Sequence, residues 1–249
     1  MTNVNSLYVA WQAPDTKDWH VVGNLQKRNA GYVFRYTKGA LKSDKFIKFS
    51  GMRDEKETYV SEELFPLFKN RLLSSKRPEY PQFIKWLGFN GDNVTPIEIL
   101  ARSGGTRTTD QLQIFKKIEP DMDGKLEYYF FLHSLSYLGE AADQRVSDLH
   151  PGETLYLCPD PQNTYDGNAV FARAKDPAQI VGYCPRYHAG DIRQILHHDP
   201  SALKLSVEQI SKDAPYNYRL LCKLTGTLTS EIIKQLPEQD EFRIIDHSK

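Results

Sequence analysis

The order of apolar and polar residues predicts a β-sheet in the first part of the chain. Aromatic rings at positions 32, 34 and 36 alternate with Val33 and Arg35, which is the period of a strand that packs one face. Residues 7–11 and 21–25 have a similar apolar, β-branched and aromatic composition, and residues 112–115 form a further candidate. These segments together predict a sheet whose last strand is separated from the others in sequence by a helical region.

Three helices are predicted within that region. Ser61 is followed by two acidic residues and is predicted as the N-cap of the first helix, with Pro66 tightening or kinking its first turn. The second is predicted at residues 81–88, because Pro suits the first helical position and Gly suits the end. The third begins in the Thr-Pro-Ile-Glu capping box at 95–98 and ends by Gly104.

Short apolar segments recur through the second half of the chain. Five of them are predicted as strands, at residues 126–132, 154–158, 169–174, 180–184 and 219–224. An amphipathic helix is predicted at 187–197. Many short strands with one or two helices favour a small β-barrel. The polar residues 230–249 are predicted to form a tail with a short helix or strand.

Residues 119–124, Glu-Pro-Asp-Met-Asp-Gly, are predicted as a turn at a domain boundary. We therefore predict an α+β protein with one domain at 1–120, a second at 125–229 and a tail at 230–249. Calcium loops require Gly and Glu at positions six and twelve, where a count from Asp121 gives Leu126 and Leu132. That motif is therefore no calcium site, and no metal or other cofactor is predicted.

The charge of the chain excludes a polybasic nucleic-acid binder. The 249 residues include 32 basic and 32 acidic side chains, and a hydrophobic fraction of 40% argues against wholesale disorder. The neutral total hides an asymmetry. Residues 1–120 carry 19 basic and 13 acidic side chains, whereas residues 121–249 carry 13 and 19, so the halves have net charges of +6 and −6. Such a split suggests two units with different partners.

The sequence predicts a cytoplasmic protein without a membrane span. The first twenty residues lack a basic stretch followed by an apolar one, and no apolar run approaches the roughly 18 residues of a membrane helix. Three cysteines at positions 158, 184 and 222 fit a reducing compartment better than a disulfide framework. Their wide spacing gives little support to a zinc site.

The first domain resembles the N-terminal subdomain of HipA-type toxin kinases, which also occurs as a separate small protein, HipS. The resemblance covers about residues 7–118 and lies in the order of five segments, at 22–25, 32–36, 61–73, 95–100 and 104–105. It implies a HipA- or HipT-like kinase partner and a role as an antitoxin. The chain has neither a His-Arg-Asp-like catalytic loop nor an Asp-Phe-Gly-like metal motif, so it is not predicted to be a kinase.

The second domain resembles a HIRAN domain, a module that stands at the front of some DNA-repair helicases and occurs alone in bacteria. Three segments carry the resemblance, at residues 151–157, 160–170 and 181–186. The middle segment contains the ordered run Pro-Gln-Asn-Thr-Tyr-Asp-Gly-Asn-Ala. The resemblance implies a barrel whose pocket holds the terminal nucleotides at the 3′ end of single-stranded DNA.

Six candidate DNA-binding residues follow from that resemblance. Tyr165 and Asp166 match a Tyr-Asp pair, and Asn163 matches a polar residue of the same loop. Tyr137 matches a stacking Tyr on the first strand, Arg186 a basic phosphate contact and Tyr216 an aromatic near the last strand. The sequence departs from the helicase domains at Ser136, where they have Arg, and at Tyr183, where they have His. The loss of the Arg removes one phosphate contact.

The chemistry of these residues suits the recognition of a strand end. Aromatic rings stack on bases, and Asp166 accepts hydrogen bonds from a sugar hydroxyl or a base donor, whereas Arg186 suits a terminal phosphate. The alternative is structural. The segment 163–168 is rich in turn formers, whose side chains can bond their own backbone.

We therefore predict a non-catalytic protein that binds single-stranded DNA through its second domain and a kinase through its first. The alternatives are a protein–protein adaptor that binds no nucleic acid and a hydrolase of unknown substrate. The sequence contains no convincing arrangement of nucleophile and base, which makes the hydrolase the weaker alternative.

Overall fold

The computed structural model describes residues 5–91, 93–236 and 239–246. The chain forms two compact units, of which the first is made of three stretches of sequence and the second of two. The first unit consists of residues 1–81, 91–117 and 238–249, and the second of residues 82–90 and 118–237. The domain bounds predicted from the sequence, at 1–120, 125–229 and 230–249, stay predictions.

The first unit is built on a five-stranded antiparallel sheet. Its strands lie in the order β4-β3-β2-β1-β5. They are β1 (Ser6–Gln12), β2 (Trp19–Arg28), β3 (Gly31–Tyr36), β4 (Tyr59–Ser61) and β5 (Leu112–Phe115). The four strands predicted in this unit, at residues 7–11, 21–25, 32–36 and 112–115, are confirmed. Phe34 and Tyr36, both fully buried, point from β3 into the core, as the period-two pattern requires.

Three short helices lie in this part of the chain, and most of the second of them belongs to the second unit. They are α1 (Pro66–Lys69), α2 (Tyr80–Trp86) and α3 (Pro96–Ser103). The Thr95–Glu98 capping box of α3 is confirmed, and the helix stops at Gly104, whose φ of 72° is left-handed. The prediction of Ser61 as an N-cap is wrong. Ser61 belongs to the edge strand β4, and α1 begins only at Pro66.

A C-terminal segment completes the core of the first unit. Phe242, in a 3₁₀ helix at Asp240–Phe242, packs its ring against Tyr8 and Phe115 at centroid distances of 4.8 and 6.1 Å. Ile245 belongs to the buried core, and its N–H donates to the carbonyl oxygen of Tyr36 at 3.1 Å. Residues 239–246 of the polar tail are therefore packed in the first unit.

The second unit contains a six-stranded antiparallel sheet. Its strands lie in the order β6-β11-β10-β7-β8-β9. They are β6 (Lys125–Phe131), β7 (Thr154–Pro159), β8 (Val170–Ala174), β9 (Gln179–Tyr183), β10 (Leu203–Ile210) and β11 (Leu220–Thr227). The two edges, β6 and β9, approach each other at a single bridge between His133 and Tyr183. The sequence predicted a small β-barrel. A closed barrel is not seen among the described residues, because this bridge does not extend into a strand ladder.

Three helices accompany this sheet. They are α4 (Glu140–Asp148), α5 (Arg186–His198) and α6 (Ser230–Gln235). The predicted helix at 187–197 is confirmed as α5, whose Ile192 and Ile195 are buried in the core. α4 was not predicted, although it packs along β9 and places Val146 in the same core. The fold is thus a mixed α/β structure with antiparallel sheets.

Among the residues that the structure describes, no helix is both long and apolar enough to cross a membrane.

Candidate functional site

The loop between β7 and β8 is held by hydrogen bonds of its own side chains. The Oδ1 atom of Asn163 accepts from the backbone N–H groups of Tyr165 and Asp166, both at 3.0 Å. Asp166 Oδ1 accepts in turn from the N–H of Asn168 at 2.9 Å, and Asn163 Nδ2 donates to Asp160 Oδ2 at 3.1 Å. The turn-forming role that the sequence left open for Asn163 and Asp166 is therefore present.

This loop presents one large ring to solvent. The side chain of Tyr165 is 87% exposed, although the backbone on both sides of it is fixed by the bonds of Asn163 and Asp166. A ring on a well-ordered turn loses little conformational entropy when a ligand packs on it. Asn163 and Asp166 therefore hold the turn, and the ring of the neighbouring Tyr165 is left exposed.

Asp166 also faces the start of α5. Its Oδ2 atom lies 3.6 Å from Nε of Arg186, which is a charge contact but too long for a hydrogen bond. Arg186 is the first residue of a 13-residue helix whose first turn contains no acidic side chain. The helix dipole and the guanidinium both favour an anion at this end. The loop and the helix therefore place one carboxylate acceptor beside one positive region.

Tyr183 connects this loop with the end of β6. Its Oη donates to Asp160 Oδ2 at 3.0 Å, while its backbone forms the bridge with His133. Burial, followed by the hydrogen bond to Asp160, raises the pKa of the Tyr183 phenol. The phenol therefore stays neutral and remains a hydrogen-bond donor. The position that departs from the helicase sequences is thus a structural tie between the loop and the strand.

Tyr137 and Tyr216 lie on a different pair of elements. Tyr137 was predicted on the first strand, but it ends a 3₁₀ helix at Leu135–Tyr137 that follows this strand, and it is 88% exposed. Tyr216 begins a second 3₁₀ helix, at Tyr216–Tyr218, which contacts the first. The guanidinium of Arg219 lies 4.0 Å from the Tyr216 ring centroid and so covers one of its faces.

The six predicted residues therefore fall into two groups. Asn163, Tyr165, Asp166 and Arg186 are joined by hydrogen bonds and one charge contact, as described above. Tyr137 and Tyr216 are placed on the two neighbouring 3₁₀ helices. The bridge between Tyr183 and His133 connects the two groups. Tyr183 lies three residues before Arg186 of the first group, and His133 lies shortly before Tyr137 of the second. DNA binding by any of the six stays a prediction.

Sequence reasoning missed three polar residues of this region. Asp160 accepts hydrogen bonds from both Tyr183 and Asn163, and Arg193 donates to the carbonyl oxygen of Gly167. Arg219 stacks on Tyr216. Asp160 was part of the quoted motif and could have been found there. Arg193 lies on the predicted helix, but nothing in a single sequence indicates that it reaches the carbonyl oxygen of Gly167. The sequence likewise does not indicate that Arg219 covers the ring of Tyr216.

Beneath the start of α5 lies a cluster of histidine and tyrosine side chains. His188 Nε2 and Tyr128 Oη share a hydrogen bond of 3.0 Å, and the rings of Tyr187 and His188 meet edge to face at 4.4 Å. Burial lowers the pKa of His133 to about 4, and burial together with His133 lowers the pKa of His188. Both imidazoles are therefore neutral at pH 7, which keeps uncompensated charge out of the base of the site.

Acidification is expected to destabilise the second unit through these histidines. The pKa of His133 is about 4 when folded and 6.5 when exposed, so between these values the unfolded chain binds more protons. The histidine contribution is complete above about pH 6.5 and decreases as the pH falls toward 4. From His133 alone, we expect the free energy of unfolding to be about 1–2 kcal/mol lower at pH 5 than at pH 7. Urea unfolding at the two pH values measures this difference.

A pair of variants isolates this effect. His133→Gln removes the titrating group and is expected to reduce the stability difference between pH 7 and pH 5, whereas His150→Gln changes an exposed histidine and should leave it unaltered. An unchanged pH dependence in His133→Gln would show that this imidazole is not the source of acid sensitivity.

The HIRAN domain family model matches residues 125–229. Two solved structures are similar to part of this chain. A crystal structure of a protein from Lactobacillus plantarum is 18% identical, with a TM-score of 0.33, and the match covers 41% of this chain and 97% of that one. The crystal structure of the HIRAN domain of human HLTF is 19% identical, with a TM-score of 0.36, and the match covers 49% and 92%.

No curated protein matches this chain at a significant level. The resemblance of residues 7–118 to the HipA N-terminal subdomain is not confirmed by these comparisons. The family match contains the 160–169 loop, the bridge at Tyr183 and the start of α5. Residues 125–229 are therefore a HIRAN domain.

Proposed function

We propose that the HIRAN domain of this protein binds the 3′ end of single-stranded DNA at the site formed by Tyr165, Asp166 and Arg186. The observation that carries the proposal is the exposure of Tyr165, at 87%, on a loop fixed by hydrogen bonds. An exposed ring next to a carboxylate and a guanidinium offers a base, a sugar hydroxyl and a phosphate one partner each. HIRAN domains as a family suggest DNA binding, and the site geometry is compatible with it.

Each group then has a separate task. The ring of Tyr165 stacks on a base, a contact worth about 1–3 kcal/mol. The carboxylate of Asp166 accepts a hydrogen bond from the terminal 3′ hydroxyl, since an ionised carboxylate is an acceptor only. A guanidinium carries five N–H donors, so Arg186 can contact a phosphate while its Nε side faces Asp166. Tyr137 and Tyr216 are proposed to stack on further bases.

The charge of the domain supports local recognition over long contact with a phosphate backbone. Residues 125–229 carry 10 basic and 12 acidic side chains, a net charge of −2. Most of the acidic excess in the second half of the chain therefore lies outside the HIRAN domain. A nearly neutral domain with few basic residues at its site releases few counterions, so the salt dependence of binding is expected to be shallow.

Replacement of Tyr165 by alanine is expected to weaken binding of a 3′-hydroxyl oligodeoxynucleotide about 5-fold or more, because the stacking contact is lost. Tyr165→Phe keeps the ring and should bind within about 2-fold of the unmodified protein, since it loses only the phenol hydroxyl. Fluorescence anisotropy with a labelled single strand measures both. Equal binding by Tyr165→Ala and the unmodified protein would remove the ring from the site.

The 3′ preference has its own test in the same assay. A strand blocked by a 3′ phosphate is expected to bind more weakly than a free 3′ hydroxyl, and Asp166→Asn should reduce that discrimination. Asp123→Asn alters an exposed carboxylate outside the HIRAN domain and serves as the matched control. Negligible binding to both strands by the unmodified protein would contradict the proposed function.

The non-catalytic character of the protein is part of this proposal, and activity assays on purified protein are its test. The predicted kinase partner, the antitoxin role and the cytoplasmic location stay predictions that rest on the sequence alone.

A further inference from the structure

The hairpin β7–β8 and strand β9 present an aromatic outer face next to the proposed site. The inner residues of β7 and β8, such as Leu155 and Ala172, are buried in the core, and a register shift between Ala172 and Arg173 places Val181 of β9 there as well. The alternate positions point to the other side of the sheet because successive side chains change faces. They are Tyr156, Cys158, Phe171, Arg173 and Tyr183, and we call this set the outer face.

The register arranges these residues in two rows. Cys158 pairs with Phe171 and Phe171 pairs with Tyr183, and the Phe171 and Tyr183 rings meet edge to face at 6.1 Å. Tyr156 pairs with Arg173 in the next row. Two residues along a strand span about 7 Å, so this second row lies one short step from the first. The outer face thus carries rings in both rows and one cation.

Arg173 is the unusual member of this face. Its charge is close enough to Cys158 to lower the pKa of that thiol against the dominant effect of burial. Within the described residues, Arg173 forms no ion pair with a carboxylate. The basic residues that support the fold of this unit are paired, since Arg145 contacts Glu153 and Arg219 contacts Asp143. An uncompensated guanidinium beside an exposed ring suits an anionic ligand with a stacking surface.

The outer face continues directly from the proposed site. Tyr183 lies in its first row, and its Oη hydrogen bond to Asp160 attaches that row to the loop that holds Tyr165. Tyr156, at the far row, is 43% exposed. A ligand that leaves the loop along β8 therefore meets Phe171 and Tyr183 first, then Tyr156 and Arg173.

We propose that the single strand whose end is held at Tyr165 and Asp166 continues across the outer face, where Tyr156 stacks on a base and Arg173 contacts a phosphate. This inference rests on the proposed function and adds a second contact region to it. The order of the two rows gives the strand its direction, with the end at the loop and the interior nucleotides on the sheet.

Oligonucleotides of two lengths distinguish binding at this second region from binding at the loop. Binding of a trinucleotide and of a dodecanucleotide, both of oligothymidine with a free 3′ hydroxyl, is measured by fluorescence anisotropy for the full chain. Tyr156→Ala and Arg173→Ala are each expected to weaken binding of the dodecanucleotide about 5-fold or more and to leave the trinucleotide unchanged. Arg173→Ala should also reduce the log–log salt slope for the longer strand by about 0.7, because one phosphate contact is lost.

Lys204→Ala is the charge control, since Lys204 is an exposed basic residue on β10. It should match the unmodified protein with both strands. Variants at Tyr156 and Arg173 that bind the dodecanucleotide as tightly as the unmodified protein would overturn the second region and leave the site at the loop intact. Equal weakening with both lengths would likewise contradict a separate region. If the unmodified protein binds neither strand, the proposed function fails and this inference fails with it.

Discussion

Replacement of Gly182 by alanine is expected to destabilise the second unit by about 2–4 kcal/mol. A Cβ atom at this position would lie 2.6 Å from Cβ of Leu132, which is fully buried and cannot move aside. The backbone φ of 148° is also one that side chains other than glycine rarely adopt. Relief of the clash requires β9 to move away from the end of β6 and so breaks the bridge between His133 and Tyr183.

A second glycine serves as a control that distinguishes the effect of the steric clash on stability from the effect of the backbone conformation. Gly152 also has a positive φ, of 86°, but no atom lies within 4 Å of its added Cβ. Gly152→Ala is therefore expected to lose only about 1 kcal/mol, from the strained backbone. Urea unfolding of both variants measures the difference. Equal midpoints for the two variants would mean that the close approach of β6 and β9 is not needed for stability.

Replacement of Phe242 by alanine is expected to destabilise the first unit by about 3 kcal/mol, because a buried phenyl ring is removed from a packed cluster. The ring packs against Tyr8 and Phe115. The same segment donates one backbone hydrogen bond, from the N–H of Ile245 to the oxygen of Tyr36, and accepts one at the oxygen of Arg243 from the N–H of Lys38. Chemical unfolding followed by the fluorescence of Trp11 and Trp19, which belong to this unit, reports the change.

Ile233→Ala is the matched control for this variant. Ile233 lies on α6 in the second unit and is 39% exposed, so its truncation should alter stability by no more than about 0.5 kcal/mol. An unfolding midpoint for Phe242→Ala that coincides with that of Ile233→Ala would show that the C-terminal segment does not stabilise the first unit.

The sheet strands were predictable because their periodicity reflects one packed face. The alternation at β3 places Phe34 and Tyr36 in the core, and no distant contact is needed to explain it. The edge strand β4 was missed because it has three residues and leaves Val60 71% exposed, so it shows no alternation. Ser61 therefore looked like a cap, although Pro66 sets the true start of α1.

Helix α4 could not be predicted, for a different reason. Its sequence is mostly polar, and its buried face includes Arg145. That guanidinium is accommodated by Glu153 and by the carbonyl oxygens of Asp176 and Pro177. A buried charge is tolerated only when such partners are present. These partners come from later parts of the chain, which local periodicity does not report.

In the candidate site, too, the local contacts could be predicted from the sequence and the contacts between distant residues could not. The contacts among Asn163, Tyr165 and Asp166 span at most three residues, and turn chemistry alone predicts them. The approach of Arg186 to Asp166 and the hydrogen bond from Tyr183 to Asp160 depend on the sheet register and the bridge at His133. Only the family resemblance connected these positions at the level of sequence.

The C-terminal segment also determines the order in which the two units can be completed during translation. Phe242 and Ile245 leave the ribosome only after residues 118–237 have been made, so the first unit has an unfinished core throughout that interval. At roughly 5–20 residues per second, the interval lasts on the order of ten seconds. The unit that is synthesised first is therefore the last to reach its final stability, and the exposed rings of Tyr8 and Phe115 are surfaces that a chaperone could cover meanwhile.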